Sequence, residues 1–176
     1  MEEIIKNHLK YISGIAILLF VGLQFLFKND TIIDNIDRAI TITSIIVVVH
    51  FSFGWKYNPL IKIPRISGKY NATLVSDYDN KKRKIEFVIK QNLFNTRVYM
   101  NSKESNSECI CTTLVKKEDN WQLIYTYQNV PNAIERHHSE IHFGTCIIDI
   151  VDKKMVKGMY YTDRKTIGDI NSIIKI

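Results

Sequence analysis

Residues 84–102, KIEFVIKQNLFNTRVYMNS, contain two short β-rich runs separated by a polar turn at Asn92–Asn95. In the first run, the large apolar side chains Ile85, Phe87 and Ile89 occupy alternate positions. Because successive side chains of a strand point to opposite faces, these three share one face. The stretch therefore predicts two neighbouring strands, each with one face packed against a core.

The same kind of pattern continues from Ser67 to the end of the sequence. The predicted β-runs are Lys69–Ser76, Lys84–Asn92, Thr96–Ser102, Glu108–Lys116, Trp121–Gln128, Glu140–Val151, Met155–Thr162 and Thr166–Ile173. Eight runs with mostly short connections predict an all-β, eight-stranded antiparallel up-and-down barrel of the lipocalin-like kind. A barrel of this size encloses side chains or one small ligand. A β-sandwich is the structural alternative.

The first third of the chain has a different composition. Residues 11–27 and 39–55 form two stretches of 17 residues without a formal charge, near the lower length limit for crossing a bilayer. We predict two N-terminal transmembrane α-helices, at about 9–27 and 39–56, within a membrane anchor spanning 1–58. A proline-containing linker, 59–66, then leads to a cytosolic β-barrel ligand-binding domain, 67–176.

Loop charges predict the orientation of these helices. The segment after the second stretch carries Lys56, Lys62, Arg65 and Lys69 without an acidic residue. The positive-inside rule therefore places both termini in the cytosol, in a multi-pass arrangement. The three cysteines, an odd number, all lie beyond these stretches and indicate free thiols rather than a disulfide framework.

The sequence contains none of the common catalytic or nucleotide-binding motifs. GxGxxG, P-loop, GxSxG and HExxH patterns are all missing, so we predict that the protein is not an enzyme. Cys109-x-Cys111 with nearby histidines could hold zinc, but the spacing differs from the usual CxxC knuckle. Two cysteines at i and i+2 of a strand share a face and serve equally as small apolar fillers. We therefore predict no metal and no cofactor.

The segment KGMYYTDRKTIGDI, residues 157–170, combines aromatic rings, hydroxyl groups and an arginine. Tyr160, Thr162 and Arg164 share one strand face, and Arg164 could pair with a phosphate. An exposed edge arginine held by a neighbouring aspartate is the alternative. A second candidate feature is the loop after Pro131, where Arg136 and His137 could contact an anion.

Two uncharged stretches, a proline-containing linker, a Gly68-x-Tyr70 start and a terminal Gly-x-Tyr-Tyr-Thr-x-Arg-x-Thr-x-Gly pattern occur in this order. This arrangement resembles the two-transmembrane β-barrel effectors of bacterial cyclic-oligonucleotide-based antiphage signalling systems (CBASS). The resemblance implies an inner-membrane protein whose barrel binds a cyclic dinucleotide made by a cognate nucleotidyltransferase. Binding would drive oligomerisation of the transmembrane helices, membrane disruption and abortive-infection cell death.

The expected ligand site combines residues that match the family pattern with residues chosen because of the strand face they occupy or the charge they carry. The matched residues are Tyr70, Tyr160, Thr162, Arg164 and Thr166; the added ones are Trp121, Tyr125, Arg136 and His137. Aromatic rings would stack on the bases, and Arg164 would pair with a phosphate. DNA and RNA polymers are not expected partners. Two alternatives remain at this stage: a membrane-tethered lipocalin-like binder of an apolar molecule, and a scaffold without a ligand.

Overall fold

The computed structural model describes residues 2–59 and 61–176, with side chains described for 10–59 and 61–176. The chain divides into two compact units, Met1–Lys62 and Ile63–Ile176. The first unit is helical and the second is all β. Leu60 of the predicted linker, and the side chain at position 9 of the first predicted membrane helix, lie outside the described residues.

The first unit contains helix α1 (Glu2–Leu26), helix α2 (Ile32–Ser52) and a short 3-10 turn (Gly54–Tyr57). Thr31 caps the N-terminus of α2: its hydroxyl accepts a hydrogen bond from the backbone N–H of Asp34 (3.2 Å). The Asp34 carboxylate accepts in return from the backbone N–H of Thr31 (3.2 Å). This capping box satisfies donors that the first turn of a helix leaves unpaired.

The prediction of two transmembrane helices is wrong. Within the described part of the chain, neither helix combines the length and the hydropathy that crossing a membrane requires. The uncharged stretches of 17 residues stood at the lower limit of length, and the first turns of α2 contain Asp34, Asp37 and Arg38. The predicted multi-pass inner-membrane localisation, which rested on these helices, is wrong for the same reason.

The second unit is a closed antiparallel barrel in which each strand pairs with its neighbours in sequence and β8 pairs with β1. The eight-stranded up-and-down barrel predicted from the sequence is therefore confirmed. The strands are β1 (Gly68–Ser76), β2 (Lys82–Gln91), β3 (Thr96–Ser102), β4 (Ser105–Lys117), β5 (Asn120–Pro131), β6 (His142–Val151), β7 (Lys154–Thr162) and β8 (Ile167–Lys175).

Alternate side chains along the strands point inward and fill the inside of the barrel. Ile85, Phe87 and Ile89 of β2 are buried, and their neighbours along the strand are more exposed. Strand β4 interrupts this alternation with a β-bulge between Cys109 and Cys111. The two thiols therefore differ in exposure: Cys109 is half-buried and Cys111 is exposed. The expectation that both point to one face fails because it assumed an unbroken strand.

The two ends of the barrel are closed differently. At the end where β1 begins, Gln91 holds the incoming chain: its side-chain oxygen accepts from the N–H of Ile66 (2.9 Å), and its amide donates to the carbonyl of Pro64 (3.0 Å). Tyr70 also donates from its hydroxyl to the carbonyl of Ile66 (2.9 Å). Ile66 is completely buried, so this segment plugs one end of the core. The opposite end remains open as a cavity.

Candidate functional site

A cavity of about 370 Å³ occupies the open end of the barrel. Four connections surround it: those between β1 and β2, β3 and β4, β5 and β6, and β7 and β8. The longest of these joins β5 to β6 and contributes Glu135, His138 and Ser139 to the wall. Ligand sites in proteins commonly fall in the range of roughly 300–1,000 Å³. The cavity is therefore large enough for a small molecule or a substantial part of one.

Arg164, in the turn after β7, is exposed at the mouth of this cavity and makes no contact with a carboxylate among the described residues. Its Nη1 donates to the hydroxyl of Ser139 (3.1 Å), and its Nη2 donates to Nε2 of His142 (3.4 Å). The other ring nitrogen of His142, Nδ1, donates to the carbonyl of Glu140 (2.9 Å). His142 therefore holds Arg164 in place as a neutral acceptor. The guanidinium keeps its positive charge available to an anion.

His142 is suited to this role because its side chain is buried. Burial lowers the pKa of the imidazole, and the nearby positive charge of Arg164 lowers that pKa further. The hydrogen bond to the Glu140 carbonyl acts in the opposite direction but does not outweigh burial. The neutral ring is thus favoured, and its Nε2 lone pair remains available to the guanidinium.

Two hydroxyl groups stand next to Arg164 on the same side of the cavity. The side chains of Thr162 and Thr166 hydrogen-bond to each other (2.7 Å) across the turn between β7 and β8. The backbone N–H of Thr162 also donates to the carbonyl of Thr166 (3.0 Å), which keeps the turn closed. The mutual hydrogen bond uses one of the two hydroxyl protons, so Arg164 and the other hydroxyl proton can donate to the oxygens of one phosphate.

Two tyrosine rings line the cavity below these groups, and each lies against a glycine. Tyr127 of β5 covers Gly144 so closely that a Cβ atom there would come within 2.5 Å of the ring. Tyr160 of β7 covers Gly168, where a Cβ would come within 2.6 Å of the ring. Burial raises the pKa of both hydroxyls, so both remain protonated at neutral pH. Tyr127 is 5% and Tyr160 7% exposed, so each presents only a small part of its ring to the cavity.

The part of the cavity wall formed by β2 carries an arginine that is already paired. Arg83 of β2 contacts both carboxylate oxygens of Asp79 (2.9 and 2.7 Å) and one oxygen of Glu104 (2.8 Å). The hydrogen bonds from Arg83 hold the pKa of Asp79 well below its usual range. This network ties the β1–β2 turn to the β3–β4 turn. It leaves Arg164 as the cavity's arginine without an acidic partner, within the described part of the chain.

The structure brings together four of the nine predicted site residues. Tyr160, Thr162, Arg164 and Thr166 all line the cavity. The other five do not. Tyr70 lies at the plugged end, and Trp121 stands at the start of β5, near the same end. Tyr125 is buried deeper in the core, where its hydroxyl bonds to the thiol of Cys146. Arg136 and His137 are exposed on the β5–β6 connection, outside the cavity wall.

Sequence reasoning missed several cavity residues, above all Tyr127, Arg83 and His142. Tyr127 belongs to the same inward row as Trp121 and Tyr125, but two residues nearer the open end. The long connection after Pro131 was the feature of the sequence that could have identified the open end of the barrel, because long loops commonly surround binding sites. Arg83 lies in the basic run 81–84, whose exposed appearance in sequence concealed the inward direction of one side chain.

A family model described as "Cap15, cyclic dinucleotide receptor domain" matches residues 61–173. The match covers more than half of the chain and includes the segments that form the cavity. The family is defined by a receptor and not by a catalytic activity. No curated protein sequence gave a match.

Proposed function

Because the chain belongs to the Cap15 cyclic dinucleotide receptor domain family, we propose that its barrel binds a cyclic dinucleotide in the open-end cavity. The observation that carries this placement is Arg164, which contacts no carboxylate among the described residues and lies beside two threonine hydroxyls. A cyclic dinucleotide has two phosphates and two bases. In the proposed complex, one phosphate binds Arg164 and the hydroxyl pair of Thr162 and Thr166, and a base lies against the exposed part of Tyr127 or Tyr160.

The alternatives fit this cavity less well. A carrier for an apolar molecule needs an apolar lumen, whereas the described wall contains two arginines, two histidines and several hydroxyl groups. The apolar part of the barrel interior is occupied by its own side chains, including Phe87, Leu123 and Ile148. A scaffold without a ligand would have no need for a buried histidine that holds an arginine towards an open cavity.

The family match supports an effector of a cyclic-oligonucleotide-based antiphage system, and the ligand would come from a partner nucleotidyltransferase. For the output we propose ligand-dependent self-association that leads to death of the infected cell. The helical unit carries exposed apolar side chains suited to such contacts, including Leu18 on α1 and Ile40 and Val48 on α2. Burying these side chains between copies would remove apolar surface from water.

The test is calorimetric titration of the full chain with a panel of cyclic dinucleotides. At least one should bind, and raising the salt concentration should weaken its binding because phosphate recognition is electrostatic. Arg164→Ala should weaken that binding by about 1.5–3 kcal/mol, or roughly 10- to 150-fold. Sedimentation of the same samples would report self-association.

Arg97→Ala is the matched control, because Arg97 is exposed on β3 and does not line the cavity. It removes the same charge and should leave the affinity unchanged. Equal affinity of the Arg164→Ala variant and the wild type would rule out the proposed phosphate site. A panel that does not bind at all would rule out the proposed ligand class.

A further inference from the structure

Arg83 uses only part of its hydrogen-bonding capacity. The side chain belongs to the inward row of β2 and lines the cavity. Its terminal nitrogens, Nη1 and Nη2, each donate to one carboxylate oxygen of Asp79. Its Nε donates to a single oxygen of Glu104 (2.8 Å). A guanidinium has five N–H groups, so two N–H groups of Arg83 have no partner among the described residues.

The direction of these groups makes one edge of Arg83 suitable for an anion. A planar guanidinium presents its Nε–H and one terminal N–H side by side, as a fork that fits two oxygens of a carboxylate or a phosphate. Glu104 contacts only the Nε–H of this fork. The Nε edge of Arg83 is therefore half filled, and a phosphate could fill both halves.

Glu104 is the weaker of the two partners of Arg83. Its side chain is 49% exposed, whereas the side chain of Asp79 is 18% exposed. Charge pairs that are open to water are weak, because water screens the charges and the long side chains lose freedom when they pair. The Glu104 carboxylate can therefore give way to another anion at little cost.

The backbone of the β3–β4 turn does not have to move for this exchange. The hydroxyl of Ser102 accepts from the backbone N–H groups of Glu104 (3.1 Å) and Ser105 (2.9 Å). The backbone N–H of Asn132 donates to the carbonyl of Glu104 (2.9 Å). Because these bonds hold the turn in place, release of the carboxylate requires only the rotation of one exposed side chain.

Arg83 and Arg164 belong to different parts of the cavity wall. Arg83 is on β2 and Arg164 follows β7, and β8 and β1 lie between those strands in the barrel. Burial is the main cause of the raised pKa of both cavity tyrosines. The arginine charge that opposes this shift is that of Arg83 at Tyr160 and that of Arg164 at Tyr127. A ligand with two phosphates could therefore contact one arginine with each phosphate.

We propose that the Nε edge of Arg83 is a second phosphate subsite, which the Glu104 carboxylate occupies until a ligand displaces it. This inference rests on the proposed function: one phosphate of the cyclic dinucleotide binds Arg164, and the other replaces Glu104 at Arg83. Asp79 keeps the guanidinium in position throughout. Glu104 is thus an internal competitor that lowers the affinity for ligands with two phosphates.

The charges of the network explain why Glu104 must leave. Arg83 supplies one positive charge, and Asp79 and Glu104 supply two negative charges. A phosphate placed beside all three groups would therefore be repelled. Once the Glu104 carboxylate turns into water, the pair of Arg83 and Asp79 is neutral, and the phosphate meets two parallel N–H donors.

The experiment compares ligands that differ by one phosphate, in calorimetric titrations of the full chain. Cyclic di-AMP, cyclic di-GMP and cyclic di-UMP are each paired with the linear dinucleoside monophosphate of the same bases. Glu104→Gln removes the charge and keeps an oxygen for the Nε–H of Arg83. This variant should bind the tightest cyclic ligand roughly 2- to 5-fold more strongly, as expected for one exposed charge pair. The affinity for the linear ligand should change less, because its single phosphate binds Arg164.

A second variant tests whether the gain depends on Arg83. Arg83→Gln should weaken binding of the cyclic ligand more than binding of the linear ligand. In the Arg83→Gln background, Glu104→Gln should no longer raise the affinity, since the second phosphate has no guanidinium to bind. Melting curves without ligand would identify an unfolded Arg83→Gln protein, and in that case the Glu104→Gln result decides.

Two further variants serve as controls. Glu108→Gln removes the same charge from an exposed position of β4 that does not line the cavity, and it should leave all affinities unchanged. Arg164→Ala should weaken both the cyclic and the linear ligand, because each has a phosphate for that arginine.

The outcomes separate this subsite from the proposed function. If Arg164→Ala weakens binding but Glu104→Gln leaves the affinity for the cyclic ligand unchanged or lowers it, the Arg83 subsite is wrong and the proposed function stands. An equal gain for the cyclic and linear ligands would also contradict the subsite, because it would reflect a general effect of charge. If no cyclic dinucleotide binds to wild type, the proposed function fails and the subsite fails with it.

Discussion

At the scale of single residues, His142 makes the stability of the folded protein depend on pH. Its pKa is lowered in the folded chain, chiefly by burial, whereas an unfolded histidine has a pKa of about 6.5. As the pH falls below about 6.5, the unfolded chain takes up a proton that the folded chain resists. Stability is therefore lost on acidification through this range.

Replacing His142 with Asn should remove part of this acid sensitivity. We expect wild type to lose more unfolding free energy between pH 7.5 and pH 5.5 than His142→Asn, as measured by urea denaturation at both values. His137→Asn, at an exposed histidine on the neighbouring connection, is the control and should behave as wild type. Parallel pH dependence in wild type and His142→Asn would show that this residue does not carry the linkage.

Sequence reasoning at this scale identified which side chains share a face, but it could not identify which end of the barrel was open. Tyr160, Thr162 and Arg164 were grouped by alternation and by their match to the family pattern, and all three line the cavity. Trp121 and Tyr125 were selected from an equally good inward row, yet they lie too far from the open end. Alternation along a strand shows which side chains point into the barrel, but it does not show how far along the barrel axis each of them lies.

At the scale of strands, two glycines make room for the tyrosines of the cavity, and they should differ in their tolerance to substitution. A Cβ at Gly168 would meet the backbone oxygen of Val75 as well as the Tyr160 ring. The three atoms nearest to a Cβ at Gly144 all belong to the far end of the Tyr127 side chain. Backbone in a paired strand cannot move aside, whereas a ring can turn into the open cavity.

We expect Gly168→Ala to destabilise the protein by about 1–3 kcal/mol, as overpacking does. Gly144→Ala should cost less stability but should weaken ligand binding, because the displaced Tyr127 ring would occupy the cavity. Denaturant unfolding and calorimetric titration of the two variants would measure these effects. Equal loss of stability in both variants would contradict the distinction between backbone and ring.

The strands themselves were predictable to within a few residues, because polar turns separate them clearly. The bulge at Cys109–Cys111 was not predictable, since an extra residue leaves no mark in composition.

The helices of the first unit were recognisable as apolar segments, but the transmembrane interpretation was wrong. A stretch of 17 uncharged residues is compatible with several environments, and hydropathy over such a short length does not choose between them.

At the scale of the whole barrel, one glutamine holds the incoming segment to the plugged end. Gln91→Leu should remove both hydrogen bonds to that segment and leave the buried N–H of Ile66 and the carbonyl of Pro64 unpaired. Each unpaired buried group costs about 1–3 kcal/mol. We expect a lower denaturation midpoint with an unchanged denaturant slope. Gln128→Leu, at an exposed position on β5, should have little effect.

The chain enters the barrel at the plugged end, whereas all four connections around the cavity lie at the other end. Insertions, deletions and substitutions in those connections can therefore accumulate without disturbing how the chain joins the barrel. Recognition and attachment are free to diversify independently, as the variable loops of an antibody do on a constant framework. Changes in those four connections would then alter which ligand the cavity accepts and leave the segment at the plugged end unchanged.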